Sequence, residues 1–202
     1  MAAVLLIPGV AVAQSPAEVA MVKAVSSVRV PVRGDSRLWL EGSSNVRDWT
    51  CKATSMDATI EIETGKTGGL NSAKGVQGVA VKVPVRALKC GDRHMEAHMY
   101  TALKASEPQA TYITAHFDRM PESVVSGETV ETTGRLNIAG VERQVRMTVS
   151  SDRLPDGTRR ARGTVPILMT DFGIKPPRPW GGILRTADKV LIQFEIFISP
   201  TT

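Results

Sequence analysis

GRLNIAGVERQVRMTV at residues 134–149 and ILMTDFGIKPPRPWGGILRTADKVLIQFEIFI at residues 167–198 decide the fold class. In the first, Leu136 and Ile138 alternate with polar neighbours, Ala139-Gly140 interrupts, and alternation resumes from Val141. Successive side chains of a strand point to opposite faces, so a period of two marks a half-buried β-strand. Two residues ending in glycine between such runs signal a hairpin. In the second stretch Val190, Ile192, Phe194, Ile196 and Ile198 share one face of a long strand. The chain reads as mostly β.

The same period recurs upstream. Met56, Ala58, Ile60 and Ile62 alternate with Asp57, Thr59, Glu61 and Glu63, and Val79, Val81, Val83 and Val85 alternate with Ala80, Lys82, Pro84 and Arg86. Pro84 marks a strand end or an edge, because proline has no N–H to give to a ladder. Shorter runs surround Val28, Val30 and Val32 and cover residues 38–42. Further strands are expected over residues 111–117, 129–138, 141–150, 159–169 and 188–198, with a turn at Asp156-Gly157. Residues 64–75, rich in Gly, Lys, Asn and Ser, read as a loop. Residues 91–105 break the pattern. Met95, Met99, Ala102 and Leu103 fall on one face at helical spacing, predicting a single helix of about three turns that ends before Pro108. About eight strands and one short helix result. Their hairpin-length connections favour antiparallel pairing over crossover units. Periodicity does not choose between sandwich and barrel, and neither an internal repeat nor a second domain boundary is visible.

A chain of 202 residues, 42% hydrophobic and 22% charged, suits one domain with a core. The net charge is +5, and the densest basic run, Arg159, Arg160 and Arg162, reads as a solvated face. A groove for single-stranded nucleic acid would interleave aromatic residues with such a run. None stands there, so no nucleic-acid partner is expected. The uncharged opening MAAVLLIPGVAVA (residues 1–13) ends in Ala11-Val12-Ala13, the A-x-A pattern of signal peptidase. A membrane-spanning helix needs about 20 apolar residues, more than this run has. The reading is an export signal cleaved after Ala13, with a disordered tail as the other reading of residues 1–13, then a mobile tail over residues 14–21 and a folded domain over residues 22–202. Export places the protein in the periplasm or outside the cell, where Cys51 and Cys90 can form one disulfide. Closing such a loop contributes roughly 4 kcal/mol in the chain-entropy account. Two buried free thiols are the other reading.

Three blocks, in order, resemble the YceI-like family: SRLWLEGSSNVRDWTC (residues 36–51), HMYTALKASEPQATYITAHF (residues 98–117), and LNIAGVERQVRM (residues 136–147) followed by FGIKPPRPWGG (residues 172–182). The similarity covers residues 36–198. It implies a single antiparallel, lipocalin-like β-barrel with a long apolar cavity. It also implies an exported binding protein holding a polyisoprenoid (polyprenyl), quinone-type or other long-chain lipid. A barrel of about eight strands encloses room for one ligand or is plugged by its own side chains. The candidate cavity wall is aliphatic: Ile60, Ile62, Val79, Val81, Val83, Leu136, Ile138, Val165, Ile167, Ile192, Phe194 and Ile196. An ordinary packed core uses the same residues, so a structural barrel with a filled core stands as an alternative. Apart from such a bound lipid no cofactor is expected. Transient membrane contact fits the role, and the oligomeric state is left open.

Residues able to carry chemistry are sparse. His94 and His98, four apart on the expected helix, can meet one metal ion, with His116 as a third ligand. That gives an alternative metal-binding or enzymatic reading. HMEAH is not the HExxH zinc-protease motif, because Glu96 sits in the wrong place, and a polar helix face is the plainer account. IKPPRPWGG (residues 174–182) reads either as a rim or lid, stiffened by proline and offering Trp180, or as a rigid connector. Trp39 and Trp49 either pack or line a mouth. Asp35, Asp48, Asp57 and Asp171 lack the paired spacing of acid–base chemistry, and Ser43-Ser44 lacks a nucleophile-elbow context. The expectation is a binding protein with no catalytic residue and no metal.

Overall fold

A computed structural model describes residues 27–64, 73–120, 122–125, 127–178 and 180–199. The expected leader at 1–13, the tail at 14–21 and most of the loop expected at 64–75 lie outside the described residues. The period-two segments all become strands: β1 (Ser27–Pro31), β2 (Arg37–Ser44), β4 (Asp57–Thr64), β5 (Ala73–Pro84), β7 (Tyr112–Phe117), β8 (Val130–Ile138), β9 (Val141–Arg153), β10 (Arg159–Leu168) and β11 (Thr186–Ile198). Two more, β3 (Asp48–Ala53) and β6 (Leu88–Lys89), raise the described strands to eleven, against about eight expected. β3 carries the same alternation as the others, Trp49, Cys51 and Ala53 lying inward of exposed Asp48, Thr50 and Lys52, and is a strand absent from those expected. β6 escapes a periodicity reading for a physical reason: it is two residues long, too short to show a period. The expected helix is α1 (Arg93–Ala102), and a second of four residues, α2 (Glu122–Val125), joins it. Among the described residues no helix is long and apolar enough to cross a membrane.

All strands belong to one antiparallel sheet in the order β1-β4-β5-β7-β8-β9-β10-β11-β2-β3-β6. Short chain segments draw its ends together. β5 runs through a single turn, Val85–Ala87, straight into β6 at the far edge. Beyond β1, the Arg33 N–H donates to the Phe197 carbonyl on β11 (2.9 Å). The sheet therefore curls into a half-barrel. The β8–β9 hairpin turns on Ala139 (φ 54°) and Gly140 (φ 80°), the pair of positive φ values that a two-residue type I′ connection requires. Alternation sorts the faces as expected. Ala58, Ile60 and Ile62 of β4, and Val145, Met147 and Val149 of β9, are buried inside while their neighbours face out. Fully buried apolar residues group into a large cluster and a small one of Ile60, Ile62, Ile196 and Ile198, and half-buried Val76, Val79 and Phe194 pack against both.

Three cross-strand pairs shape the inner face. Gly42 sits opposite Trp49, Gly134 opposite Phe117, and Gly163 opposite Phe194. In each pair the aromatic ring occupies the place where the glycine's Cβ would stand. A Cβ on Gly134 or Gly163 would also lie 2.6 Å from a neighbouring carbonyl oxygen, that of His116 or Thr148. Glycine within a strand often marks such a close approach. Alanine at Gly134 or Gly163 should cost about 1–3 kcal/mol through overpacking. Gly34→Ala, with nothing within 4 Å of its Cβ position, should stay within about 0.5 kcal/mol of the parent. Urea denaturation of the three variants checks this, and equal stability for all of them would contradict the packing described.

Candidate functional site

The curled sheet encloses a cavity of about 540 Å³, inside the range of about 300–1,000 Å³ typical of ligand sites. Its lining is almost entirely aliphatic, and the interior is not filled. All twelve residues from Ile60 to Ile196 read as a wall in the sequence line it. Its described aromatic residues are Trp49, Phe117 and Phe194, the three rings laid over glycines. The cavity follows β11 from Thr186, whose partner is Ser44, to Ile198, whose partner is Arg159, and all four residues lie on its wall. At about 3.3 Å per residue, that separation is roughly 40 Å along the strand.

Helix α1 covers one end. Met95, Met99, Ala102 and Leu103, the predicted apolar face, all line the cavity, yet no residue of the helix is fully buried. Its apolar side rests over a space. Asp92 caps it by accepting the Met95 N–H (2.9 Å), and this bond holds the Asp92 carboxyl below the usual aspartate range. The stabilisation is complete above that usual range and disappears as pH falls through the lowered value. Three fastenings hold the helix to the wall. Tyr100 Oη donates to the Leu88 carbonyl (2.8 Å), and Glu96 accepts the Cys90 N–H (3.0 Å). The disulfide Cys51–Cys90 (1.98 Å) joins β3 to the residue before the helix turn.

The exposed rim at this end carries Arg47, Asp92, His94 and His98. Both histidines border the opening, but His116 lies on the outer face of β7 between inward-facing Ala115 and Phe117. Among the described residues no group of three or more His, Cys, Asp or Glu is placed to hold a metal ion. Of residues 174–182, Ile174 and Pro177 line the cavity, so the segment forms part of the rim. The Trp180 side chain lies outside the described features. Trp49 faces the cavity, whereas Trp39 is on the outer face and donates Nε1–H to Glu41 (2.7 Å).

At the opposite end α2 contributes Val124 and Val125 to the lining. Here the solvated reading of the Arg159, Arg160 and Arg162 run needs correction. Arg160 lies outside, paired with Asp152 (2.6 Å), while Arg159 lines the cavity. Strand parity explains the difference: Arg159 shares its face with Ala161 and Val165. Counting by two would have found it, where counting charges did not.

A YceI-like domain model matches residues 21–198. The chain belongs to the YceI-like family. Solved structures support the shared fold. BcnA of Burkholderia cenocepacia aligns at TM-score 0.64 and 18% identity, covering 83% of this chain and 99% of that one. A polyisoprenoid binding domain from Saccharophagus degradans, implicated in plant cell wall breakdown, aligns at 0.60 and 12%, covering 86% and 98%. The YCEI protein of Campylobacter jejuni aligns at 0.52 and 13%, covering 79% and 85%. Comparison with curated protein sequences returns no match. In this YceI-like chain the disulfide fastens the helix over the cavity. Replacing both Cys51 and Cys90 by alanine should cost about 2–4 kcal/mol and speed amide exchange in α1 more than in β9 and β10. Unchanged exchange in α1 would show that the bridge does not hold the lid.

Proposed function

We propose that this protein is an exported binding module that holds a polyprenyl, quinone-type or other long-chain lipid in its cavity and catalyses no reaction on it. The observation that carries the reading is the unfilled, aliphatic cavity of about 540 Å³ along β11. Burial of apolar chain there is worth about 0.8 kcal/mol per CH₂, against the cost of ordering a flexible tail. Selection would then follow from cavity length and width, with polar groups at the ends sorting head groups. The polyisoprenoid binding domain from Saccharophagus degradans has the same fold, which supports this ligand class. The apolar opening at residues 1–13 with its A-x-A ending, and the disulfide, favour a periplasmic or secreted location.

Loading from a membrane fits the rim beside α1. Val46 and Ile183 are 68% and 75% exposed, and Asn45 ties their loops together by donating to the Ile183 carbonyl (3.0 Å) and accepting the Arg185 N–H (2.8 Å). Two exposed apolar tips flanked by Arg47 and Arg185 suit brief contact with an anionic bilayer.

Native mass spectrometry after incubation with lipid vesicles, without detergent, tests the whole reading. The parent protein should carry a long-chain lipid, and Ala115→Trp, which fills the cavity from β7, should remain folded and empty. Asp at Val46 and Ile183 should slow uptake without lowering the final occupancy. A parent protein that stays at its bare mass would end the proposal.

A further inference from the structure

Arg159 is the cation at the α2 end of the cavity. Its Nη1 donates to the Val125 carbonyl (2.6 Å) and contacts Ser151 Oγ (3.4 Å), and Ser151 Oγ in turn donates to the Val124 carbonyl (2.6 Å). This clamp ties α2 to β9 and β10 and uses one nitrogen of three. Nε and Nη2 have no protein acceptor among the described residues. No buried side-chain nitrogen or oxygen lacks a partner there, so these two nitrogens are not sealed in protein, and the residue that carries them lines the cavity. Together they form the side-on edge of the guanidinium, a fork that matches two oxygens of a phosphate or carboxylate.

The electrostatics point the same way. Arg160, one residue on, has Asp152 at 2.6 Å and Glu195 at 3.9 Å. Among the described residues no carboxylate forms an ion pair with Arg159. Its registered neighbour on β9 is Arg153, a second positive charge. Burial, with the Arg153 charge second, pulls the Arg159 pKa down from the usual arginine value. A half-buried cation on the wall of an apolar cavity, with a like charge beside it and no carboxylate paired to it, is an arrangement that an anion would relieve. Arg47, the other arginine on the lining, is different: it is exposed at the rim and feels the charge of Asp92.

We propose that Arg159 receives the oxyanion head group, a phosphate or carboxylate, of a lipid whose chain runs from the α2 end of the cavity toward α1. This inference rests on the lipid-binding reading and narrows its ligand to anionic amphiphiles. A purely structural Arg159 would hold α2 and have no preference among head groups.

The test is calorimetric titration of the delipidated full chain with geranylgeranyl phosphate, geranylgeraniol and inorganic phosphate. The lipid phosphate should bind at least about tenfold more tightly than the alcohol of the same chain. Arg159→Met should bring that ratio close to one, even where loss of the α2 clamp lowers the affinity for both lipids together, and Arg159→Lys should keep part of it. Equal binding of phosphate and alcohol by the parent protein would overturn the inference and leave the cavity reading intact, even if the methionine variant failed to fold. A preference that survives Arg159→Met, or that disappears in Arg47→Met instead, would also overturn it. So would inorganic phosphate binding as tightly as the lipid phosphate, which would mark a free-anion site. Failure of both lipids to bind would remove the cavity reading and this inference together.

Discussion

Everything proposed for this molecule depends on where three aromatic rings lie. Trp49, Phe117 and Phe194 face the inside of the curled sheet, and a ring projecting inward from such a wall would block much of a narrow space. Each lies instead over a glycine on the adjacent strand, in the volume a Cβ would occupy. Covering a glycine this way also restores apolar contact that a strand glycine otherwise lacks. The large side chains become part of the wall, and the lumen is left to aliphatic tips.

The two ends of the cavity differ in kind. At one end α1 is an amphipathic helix with no fully buried residue, fastened along one flank by Tyr100, Glu96 and the Cys51–Cys90 bridge. Elements with few buried contacts open at low free energy, so this end suits entry. At the other end α2 is clamped by Ser151 and Arg159. The arrangement of an apolar cover fastened along one flank, an aliphatic shaft and a cation at the α2 end suits an amphiphile that enters head first.

Much of this was legible in the sequence because β-structure writes itself as a period of two. Nine strands, the β8–β9 turn, the apolar face of α1 and the twelve wall residues follow from alternation, and the barrel followed from the resemblance. β3 was legible by the same rule, since Asp48, Thr50 and Lys52 alternate with inward Trp49, Cys51 and Ala53, whereas β6, two residues long, is defined by its partner rather than by its own pattern. Whether the wall encloses space depends on which side chains meet across the sheet. The three glycine–aromatic pairs join residues that lie 7 to 31 positions apart, and composition does not reveal such pairings. Arg159 was legible in principle, since its parity matches Ala161, Gly163 and Val165, but its place in a basic run pointed to the surface.

The central claim is that the lumen is held open by rings lying flat on glycines and is occupied by a lipid chain. The most direct measurement is a crystal structure of the protein purified from its own cells without detergent. The account expects continuous chain-like density along β11, with Trp49, Phe117 and Phe194 each packed on its glycine. Rings turned across the axis, with the lumen closed and no density within it, would contradict the account.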